Sequence, residues 1–357
     1  MKLALITDQH FGVKNDSQIF LDFQKKFYDE VFIPYLIKNR ITDVIDLGDT
    51  FDRRKYINFN TLSAVKEFYY EHLRRLGITV HIIVGNHSTY YKNTNDVNSP
   101  DLILREYDNI ITYSNPQTVS FGGCDILMMP WINQENALQC FDAMKYSPAQ
   151  IMMGHFELYE QALRRNFKFH EGIKLDDIKK YDHVYSGHYH QRITKGNFTY
   201  LGTPYEMYWD DCGVAKGFHV FDTTKRDVKF MKNPNSIYTK IYWNDTDETV
   251  DANVLLNHVK EHPEEFSNKF IKIIVKQKKN PYILDRYIDA IEQCNPHNVT
   301  IEDIIHHIES EEGDIEQIED TLTYLKKYVN SMEDFSNKEN LLNFIEELYI
   351  EAINLEE

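Results

Sequence analysis

Five short apolar runs along this chain each end in aspartate, asparagine or histidine, usually directly after a glycine. The polar groups that follow these runs are Asp8-Gln9-His10, Gly48-Asp49, Gly85-Asn86-His87, Gly154-His155 and Gly187-His188-Tyr189-His190. Short apolar runs are typical of strands that are buried on both faces. Open α/β sheets place their ligands outside the carboxyl ends of the strands. The pattern therefore predicts eight oxygen and nitrogen ligand candidates on one rim of one sheet.

The chemistry of these candidates indicates a metal centre. Carboxylate, amide and imidazole groups without a thiolate suit manganese, iron or zinc better than a structural zinc cage. One carboxylate with further ligands on either side is what a two-metal site requires, and such a pair clamps the oxygens of a phosphoryl transfer. A single histidine in a loop after a strand is usually a solvent-exposed or capping residue, but five matching strand ends favour a common site.

Hydrophobic periodicity predicts an α/β fold. Helices are expected over 16–38 and 58–76, between strands at 3–6, 41–47 and 78–84. That alternation is typical of βαβ units around a parallel sheet. Further expected elements are a hairpin at Gly122-Gly123, strands at 151–153, 183–186, 198–201, 217–221, 228–231, 238–243 and 270–275, and helices near 134–144, 250–261, 282–292, 314–330 and 336–354.

Charge divides the chain into two parts. Residues 236–357 hold 11 basic and 27 acidic residues, a net charge of −16, whereas residues 1–235 have a net charge of −1. An acidic last third is poorly suited to binding nucleic acid over its whole surface and suits a protein partner better. We expect three parts: a catalytic domain at 1–235, a small capping or DNA-binding domain at 236–300, and an acidic helical segment at 301–357.

The four cysteines are widely spaced and form no Cys-x-x-Cys motif. They favour core packing in a reducing cytosol over a zinc knuckle or a disulfide framework. No apolar stretch is long enough for a signal peptide or a membrane helix. We therefore expect a cytoplasmic protein without membrane association.

The order D-x-H, G-D, G-N-H, G-H, G-H-x-H resembles the signature of calcineurin-like metallophosphoesterases. Within that superfamily, Thr7 to Gly12, Gly48 to Asp52 and Gly202-Thr203-Pro204 resemble the nuclease subunit of SbcCD-type DNA repair and recombination complexes. The bacteriophage form of that subunit is the most similar, through Phe51-Asp52-x-Arg54-Lys55, Pro130-Trp131 and His155-Phe156-Glu157. The resemblance is good over about residues 1–232. Beyond them it lies mostly in the order of the predicted elements.

The resemblance implies a sandwich of two central mixed sheets flanked by helices, with a small α+β capping domain and C-terminal helices. It implies two divalent metal ions, Mn²⁺ foremost and Mg²⁺ as the alternative. One ion would be held by Asp8, His10, Asp49 and His190, and the other by Asp49, Asn86, His155 and His188. His87 would lie beside the scissile phosphate, where it stabilises charge or protonates the leaving 3′ oxygen.

Two departures from the family pattern concern the site. Relatives usually carry an acidic residue after Gly-Asn-His, where this chain has Ser88, so the orientation and basicity of His87 are open. Many cellular relatives also have a histidine just after the Gly-Asp-x-Phe stretch, where this chain has Asp52 and Arg53. The sequence assigns no catalytic role to Asp52.

Two further groups are candidates for contacts with partners. The basic run Arg53, Arg54 and Lys55 lies just beyond Asp49 and is a candidate DNA-phosphate contact; the alternative is a solvated turn. A broad apolar stripe marks the last predicted helix, at Leu341, Ile345, Leu348, Tyr349 and Ala352. Such a face packs within its own domain or docks on a partner. The resemblance implies the second, with an SbcC-like, SMC-type ATPase as the partner.

Three functional hypotheses follow. The first is a manganese-dependent DNA nuclease, by resemblance a 3′→5′ double-strand exonuclease and single-strand endonuclease. It would form a homodimer, and a heterotetramer with the ATPase. The second is a phosphatase or cyclic-nucleotide phosphodiesterase, which would have no need of the acidic third. The third is a catalytically weak scaffold subunit, which Ser88 favours and the complete ligand set disfavours. If a bacteriophage encodes the chain, the compartment is the bacterial host cytoplasm.

Overall fold

Two six-stranded sheets form the centre of the described part of the chain. The computed structural model describes residues 1–159, 162–164, 167–168, 172–245 and 252–303. Its strands are β1 (Lys2–Ile6), β2 (Asp43–Asp46), β3 (Thr79–Ile83), β4 (Ile110–Tyr113), β5 (Gln117–Phe121), β6 (Cys124–Met129), β7 (Ile151–Gly154), β8 (Ala162–Arg164), β9 (Phe167–Lys168), β10 (His183–Ser186), β11 (Ile193–Lys195), β12 (Phe198–Tyr200), β13 (Gly217–Asp222), β14 (Asp227–Lys232), β15 (Tyr238–Asn244), β16 (Phe270–Gln277) and β17 (Asn298–Asp303).

The described helices are α1 (Val13–Asp16), α2 (Gln18–Phe27), α3 (Ile33–Asn39), α4 (Phe59–Val65), α5 (Glu71–Arg75), α6 (Ser99–Ile103), α7 (Ala137–Tyr146), α8 (Ala252–Glu261) and α9 (Pro281–Glu292). Single π-helical turns at Tyr28–Phe32 and Lys66–Tyr70 join α2 to α3 and α4 to α5. The helices predicted at 16–38 and 58–76 are therefore present, each with a π turn that periodicity alone does not indicate. In the part of the chain that the structure describes, no helix has the length and apolarity to cross a membrane.

The first sheet has the strand order β14-β13-β1-β2-β3-β4, in which β1 to β4 are parallel and β13 runs antiparallel to β1. The second sheet has the order β11-β12-β10-β7-β6-β5, with a parallel centre and antiparallel edges. Both sheets are mixed, which confirms the fold class expected from the sequence. The predicted hairpin at Gly122-Gly123 is the β5–β6 pair.

Alternation along β1 shows how the layers pack. Leu3 and Leu5 face a core shared with the second sheet, where Ile126 and Met153 lie. Ala4 and Ile6 face the opposite core, against the helices α2 to α5. A third core covers the outer face of the second sheet. The sandwich therefore has helices outside and two sheets inside, and β1 is buried on both faces, as its apolar sequence predicts.

The prediction that all ligand candidates lie on one sheet is wrong. Strands β1, β2 and β3 of the first sheet precede Asp8, Asp49 and Asn86, whereas β7 and β10 of the second sheet precede His155 and His188. Buried parallel strands give the same apolar run in either sheet, so the sequence pattern does not distinguish them. The candidates meet where the carboxyl ends of two facing sheets lie together.

Residues 236–303 build a smaller α+β layer. Its parallel sheet has the order β15-β16-β17, and α8 and α9 pack on it around Trp243, Ile273 and Ile291. Strand β17, like β4, β11 and α6, was not expected from the sequence. We retain a domain boundary near residue 235 as a proposal. The predicted helices near 314–330 and 336–354 lie outside the described residues.

Candidate metal centre

The loops after β1 and β2 run side by side and carry three of the candidates. Backbone N–H groups of Asp8 and His10 donate to the carbonyls of Gly48 and Asp49 at 2.9 and 3.0 Å. Asp8, His10 and Asp49 have φ angles of 51°, 44° and 56°, in the left-handed region that residues with side chains rarely occupy. Such strain persists only where the surroundings impose it, and it is frequent at functional sites.

A first cluster consists of Asp8, His10 and His190, whose ligand atoms lie within 4.8 Å of one another. The Nε2 atoms of His10 and His190 are 3.1 Å apart, and Asp8 Oδ1 lies 3.9 Å from His10 Nε2. Asp8 also accepts the backbone N–H of His188 and the Thr7 hydroxyl. Its carboxylate is thus fixed with one edge toward the two imidazoles.

A second cluster consists of Asp49, His155 and His188, with the amide of Asn86 between them. Asn86 Oδ1 lies 2.9 Å from His155 Nε2 and 3.0 Å from His188 Nδ1. Asp49 Oδ2 lies 3.2 Å from His155 Nε2. All seven predicted ligand residues therefore fall in or beside two adjoining groups of oxygen and nitrogen atoms.

The donor set fits a divalent cation. His155 Nδ1 lies 2.8 Å from the Leu47 carbonyl, which only accepts, so Nδ1 carries a proton. His155 Nε2 then faces the oxygens of Asp49 and Asn86. Three hydrogen-bond acceptors, His155 Nε2, Asp49 Oδ2 and Asn86 Oδ1, therefore face one another, and this arrangement requires a proton or a cation between them. Once a cation displaces the proton from His155 Nε2, imidazole nitrogen together with carboxylate and amide oxygen suits Mn²⁺, Fe²⁺ or Zn²⁺.

The pKa values of the candidate ligands reflect the charged groups that lie close together in the site. Burial alone lowers the pKa of His155, but the charge of Asp49 outweighs it and raises that pKa to about 9. Burial raises the pKa of Asp49, but the charge and hydrogen bond of His155 hold it well below its ordinary value. Burial and the charge of His10 lower the pKa of His190 to about 4. Asp49 is thus an anion and His190 a neutral imidazole near neutral pH.

His87 lies beside the two clusters. Its backbone N–H donates to Asp49 Oδ1 at 2.8 Å, and its ring meets that of His10 edge-on at 4.9 Å. The Nδ1–H donates to the Asp52 carbonyl at 2.5 Å, which leaves Nε2 as the free nitrogen. Burial lowers the pKa of His87 below its ordinary value, against the opposing charge of Asp49. The Asp52 carbonyl therefore orients the ring without an acidic residue at position 88, where the Ser88 hydroxyl is buried.

Two carboxylates, to which the sequence assigned no role in the site, lie against candidate ligands. Glu157 Oε1 lies 2.9 Å from His188 Nε2, which fixes the proton on Nε2 and turns Nδ1 toward Asn86. Asp52 Oδ1 lies 3.4 Å from His10 Nδ1, an ion-pair distance without an aligned hydrogen bond. The signal for Glu157 was its place two residues after His155. Carboxylates in this position orient metal-binding histidines.

Behind the strained loops lies a buried polar network. Asp46 Oδ2 accepts from Gln9 Nε2 and from the Thr50 hydroxyl, both at 2.7 Å, and Asp46 Oδ1 accepts the Gly48 N–H at 3.1 Å. Gln9 in turn accepts from Tyr28. Asp46 is fully buried, which raises its pKa to about 7 despite these donors. This network joins the loops after β1 and β2.

Close backbone approach explains two of the glycines. A side-chain carbon at Gly85 would lie 2.3 Å from Asp49 Oδ1, and one at Gly187 would lie 2.0 Å from Thr7 Oγ1. Asp49 is itself a candidate ligand, and the Thr7 hydroxyl donates to the candidate ligand Asp8. Glycine at these two strand ends is therefore required by the packing of the site.

The three basic residues predicted to contact DNA have different environments. Arg53 donates to Asp16 Oδ2 and Asn15 Oδ1, each at 2.8 Å, and stacks on Tyr56. Arg54 is half-buried, and its NH1 atom has no hydrogen-bond partner among the described residues. Lys55 is exposed. The partner-binding candidates Leu341, Ile345, Leu348, Tyr349 and Ala352 lie outside the described residues.

Comparison with known proteins identifies relatives. Residues 1–192 match the family model described as calcineurin-like phosphoesterase. The chain is 31% identical over 355 residues to exonuclease subunit 1 of Enterobacteria phage T4, covering 99% of each chain. Among solved structures, an archaeal phosphodiesterase is 12% identical, with 65% of this chain and 100% of that chain covered and a TM-score of 0.34. Nuclease MPE of Pseudomonas putida is 14% identical, with coverages of 62% and 85% and a TM-score of 0.28.

Proposed function

Since the chain belongs to the calcineurin-like phosphoesterase family, we propose that it is the metal-dependent nuclease subunit of a DNA end-processing complex. The observation that supports this most is the pair of adjoining clusters at the seam of the two sheets, with His87 beside them. The near full-length similarity to a phage exonuclease subunit supports DNA as the substrate and a multi-subunit assembly.

We assign one cation to Asp8, His10, Asp49 and His190, and a second to Asp49, Asn86, His155 and His188. Mn²⁺ is the proposed ion, as the family resemblance implies, with Mg²⁺ as the alternative; the four imidazoles in the set suit Mn²⁺ better than Mg²⁺. When bound, the two cations supply positive charge that stabilises the phosphoryl oxygens in the transition state. The negative charge of Asp49, which raises the pKa of His155, also favours a cation at this place.

The chain's own groups then orient and protonate the substrate. His87 presents Nε2 because the Asp52 carbonyl holds Nδ1. Burial lowers the pKa of His87, so the free Nε2 is an acceptor near neutral pH and must take up a proton before it donates to the substrate; the charge of Asp49 favours that uptake. We propose that it stabilises the scissile phosphate or protonates the leaving 3′ oxygen. Glu157 keeps His188 in the tautomer that turns Nδ1 toward the second cluster.

The finer assignment is an SbcCD-like complex with 3′→5′ double-strand exonuclease and single-strand endonuclease activity. It includes a homodimer and an SMC-type ATPase that the C-terminal segment 301–357 contacts, with residues 236–300 as a capping domain. Arg54 and Lys55 remain candidate DNA contacts. The strong acidity of the last third supports a protein partner there rather than DNA.

A nuclease assay tests this proposal. Labelled linear duplex is incubated with Mn²⁺ and the wild type or His87→Ala, each alone and with an SMC-type ATPase and ATP. The proposal requires degradation by the wild type, in at least one of these conditions, and a large loss in the variant. Cleavage of bis-p-nitrophenyl phosphate without degradation of DNA would instead indicate a small-substrate phosphodiesterase. Metal binding with no cleavage of either substrate would indicate a scaffold.

A further inference from the structure

The short turn α1 (Val13–Asp16), which lies between the β1 loop and α2, is left-handed over most of its length and therefore strained. Lys14, Asn15 and Asp16 have φ angles of 56°, 58° and 58°, so three consecutive residues with side chains occupy the left-handed region. Such a run is unfavourable for L-amino acids and needs external support. Lys14 and Asn15 are nevertheless exposed, so burial of their side chains does not supply that support.

Arg53 and Thr61 hold the turn in place. The two carboxylate oxygens of Asp16 accept from Arg53 NH1 and the Thr61 hydroxyl, both at 2.8 Å, and Asn15 Oδ1 accepts from Arg53 NH2 at 2.8 Å. The guanidinium of Arg53 is thus engaged within the protein and is poorly placed to bind DNA. Its charge instead fixes the conformation of the turn.

The turn places a lysine next to the first cluster. Lys14 Nζ lies 4.4 Å from the centre of the Tyr208 ring, and that ring lies at 20° to the His190 imidazole with 6.2 Å between centres. Tyr208 is 40% exposed, so this pair borders solvent. Among the described residues, no carboxylate lies within 4 Å of the Lys14 ammonium, in contrast to Arg53.

We propose that Lys14 binds a DNA backbone phosphate next to the scissile one, with Tyr208 holding the ammonium beside His190. This inference rests on the proposed function and names a substrate contact for the same site. An ammonium that lacks a carboxylate partner at the edge of a phosphodiester site suits a phosphate oxygen. Strain that is maintained by two external donors indicates that the position of Lys14 matters.

Lys14→Met tests this contact, with Lys14→Arg as the conservative variant and Lys25→Met as the matched control. Lys25 is an exposed lysine of α2 that pairs with Asp29. The Mn²⁺-dependent rate on linear duplex is measured over a range of salt concentrations. We expect Lys14→Met to raise KM several-fold with little change in kcat. It should also make the slope of log(kcat/KM) against log[salt] shallower by about 1, as for one lost phosphate contact.

Lys14→Arg should restore the wild-type slope, and Lys25→Met should keep it. A wild-type slope in Lys14→Met would overturn the inference while leaving the nuclease assignment intact. A fall in kcat with an unchanged slope would also overturn it, because that result indicates damage to the neighbouring cluster rather than loss of a phosphate contact. Absence of DNA degradation by the wild type, alone and with the ATPase, would overturn the proposed function and this inference together.

Discussion

The histidines of the site differ in which ring nitrogen carries the proton, because their hydrogen-bond partners differ. His155 donates to a backbone carbonyl, His188 donates to a carboxylate, and His190 faces another imidazole. These contacts decide which nitrogen carries the proton and therefore which nitrogen is available to a cation. Histidine therefore has different roles at different positions of the site. Substitution of one histidine should change the rate of hydrolysis, and substitution of another should change the affinity for metal.

His87→Ala should abolish most hydrolysis while leaving metal binding intact. The ring has no place in either proposed ligand set, so its loss removes acid–base or charge stabilisation alone. We expect kcat to fall by roughly 10²- to 10⁴-fold. Isothermal titration with Mn²⁺ should give the wild-type stoichiometry. A variant that loses an ion would show instead that His87 is a ligand.

Glu157→Gln should weaken the second cation site. The amide accepts a hydrogen bond less strongly than the carboxylate, so the His188 ring is held less firmly. Loss of such a supporting contact typically costs roughly 10- to 100-fold in metal affinity or activity. Mn²⁺ titration measures the effect. Unchanged affinity for both ions would mean that Glu157 does not orient His188.

Acid should destabilise the protein partly through His219, which belongs to neither cluster. This buried residue of β13 packs on Phe230, and burial lowers its pKa to about 3. The unfolded chain takes up the proton near pH 6.5, so stability falls from there down to about pH 3, by at most about 1.4 kcal/mol per pH unit. His219→Leu should flatten the dependence of the unfolding free energy on pH in this window. An identical slope in both proteins would contradict this account.

At the scale of elements, the paired loops after β1 and β2 depend on the network behind them. Asp46→Ala would leave the Gln9 amide and the Thr50 hydroxyl buried without their acceptor. Each such loss costs about 1–3 kcal/mol. We expect a lower melting temperature together with weaker Mn²⁺ binding, because both loops carry ligands.

Asp43→Ala is the control, at the opposite end of the same strand, where Asp43 bonds to Thr42 and His81. It should lower stability less and leave Mn²⁺ affinity unchanged. Equal effects of the two substitutions on metal affinity would show that the network does not position the site. Differential scanning fluorimetry and Mn²⁺ titration separate the two contributions.

The elements that the sequence predicted well are those with strong local signals. Apolar runs ending at Gly48, Gly85 and Gly187 mark buried strands followed by close backbone approach, and these strand ends indicate the candidate site. Strand β17, with its exposed and charged side chains, carries no comparable pattern. The π turns were also not expected, because one inserted residue changes helical periodicity only slightly.

Contacts between elements that are distant in the sequence could not be predicted from it. The sequence near Asp46 does not indicate that this residue faces Gln9. The position of Glu157 two residues after His155 does not identify His188 as its partner, because both pairs form only when the strands are packed. The division of the ligand candidates between two sheets has the same cause. Arg53 and Arg54 are adjacent and chemically identical. The Arg53 guanidinium is hydrogen-bonded to Asp16 and Asn15, whereas the NH1 atom of Arg54 has no hydrogen-bond partner among the described residues. Only their surroundings make this difference.

At the scale of the whole molecule, a cation bound at the seam between the two sheets would couple metal binding to folding. The first sheet supplies Asp8 and Asp49 and the second supplies His155 and His188, so a cation would join both halves. Mn²⁺ at 100 times its Kd should stabilise the fold by about 2.7 kcal/mol per site. EDTA should remove that gain. Asp49→Asn should lose most of the Mn²⁺-induced rise in melting temperature, and a full rise in this variant would contradict the assignment.

Anomalous diffraction at the manganese edge, from crystals grown with Mn²⁺, tests the two-metal assignment most directly. We predict two ions, one contacting Asp8, His10 and His190 and the other contacting Asn86, His155 and His188, with Asp49 touching both. A single ion, or two ions that leave Asp49 without a contact, would contradict it.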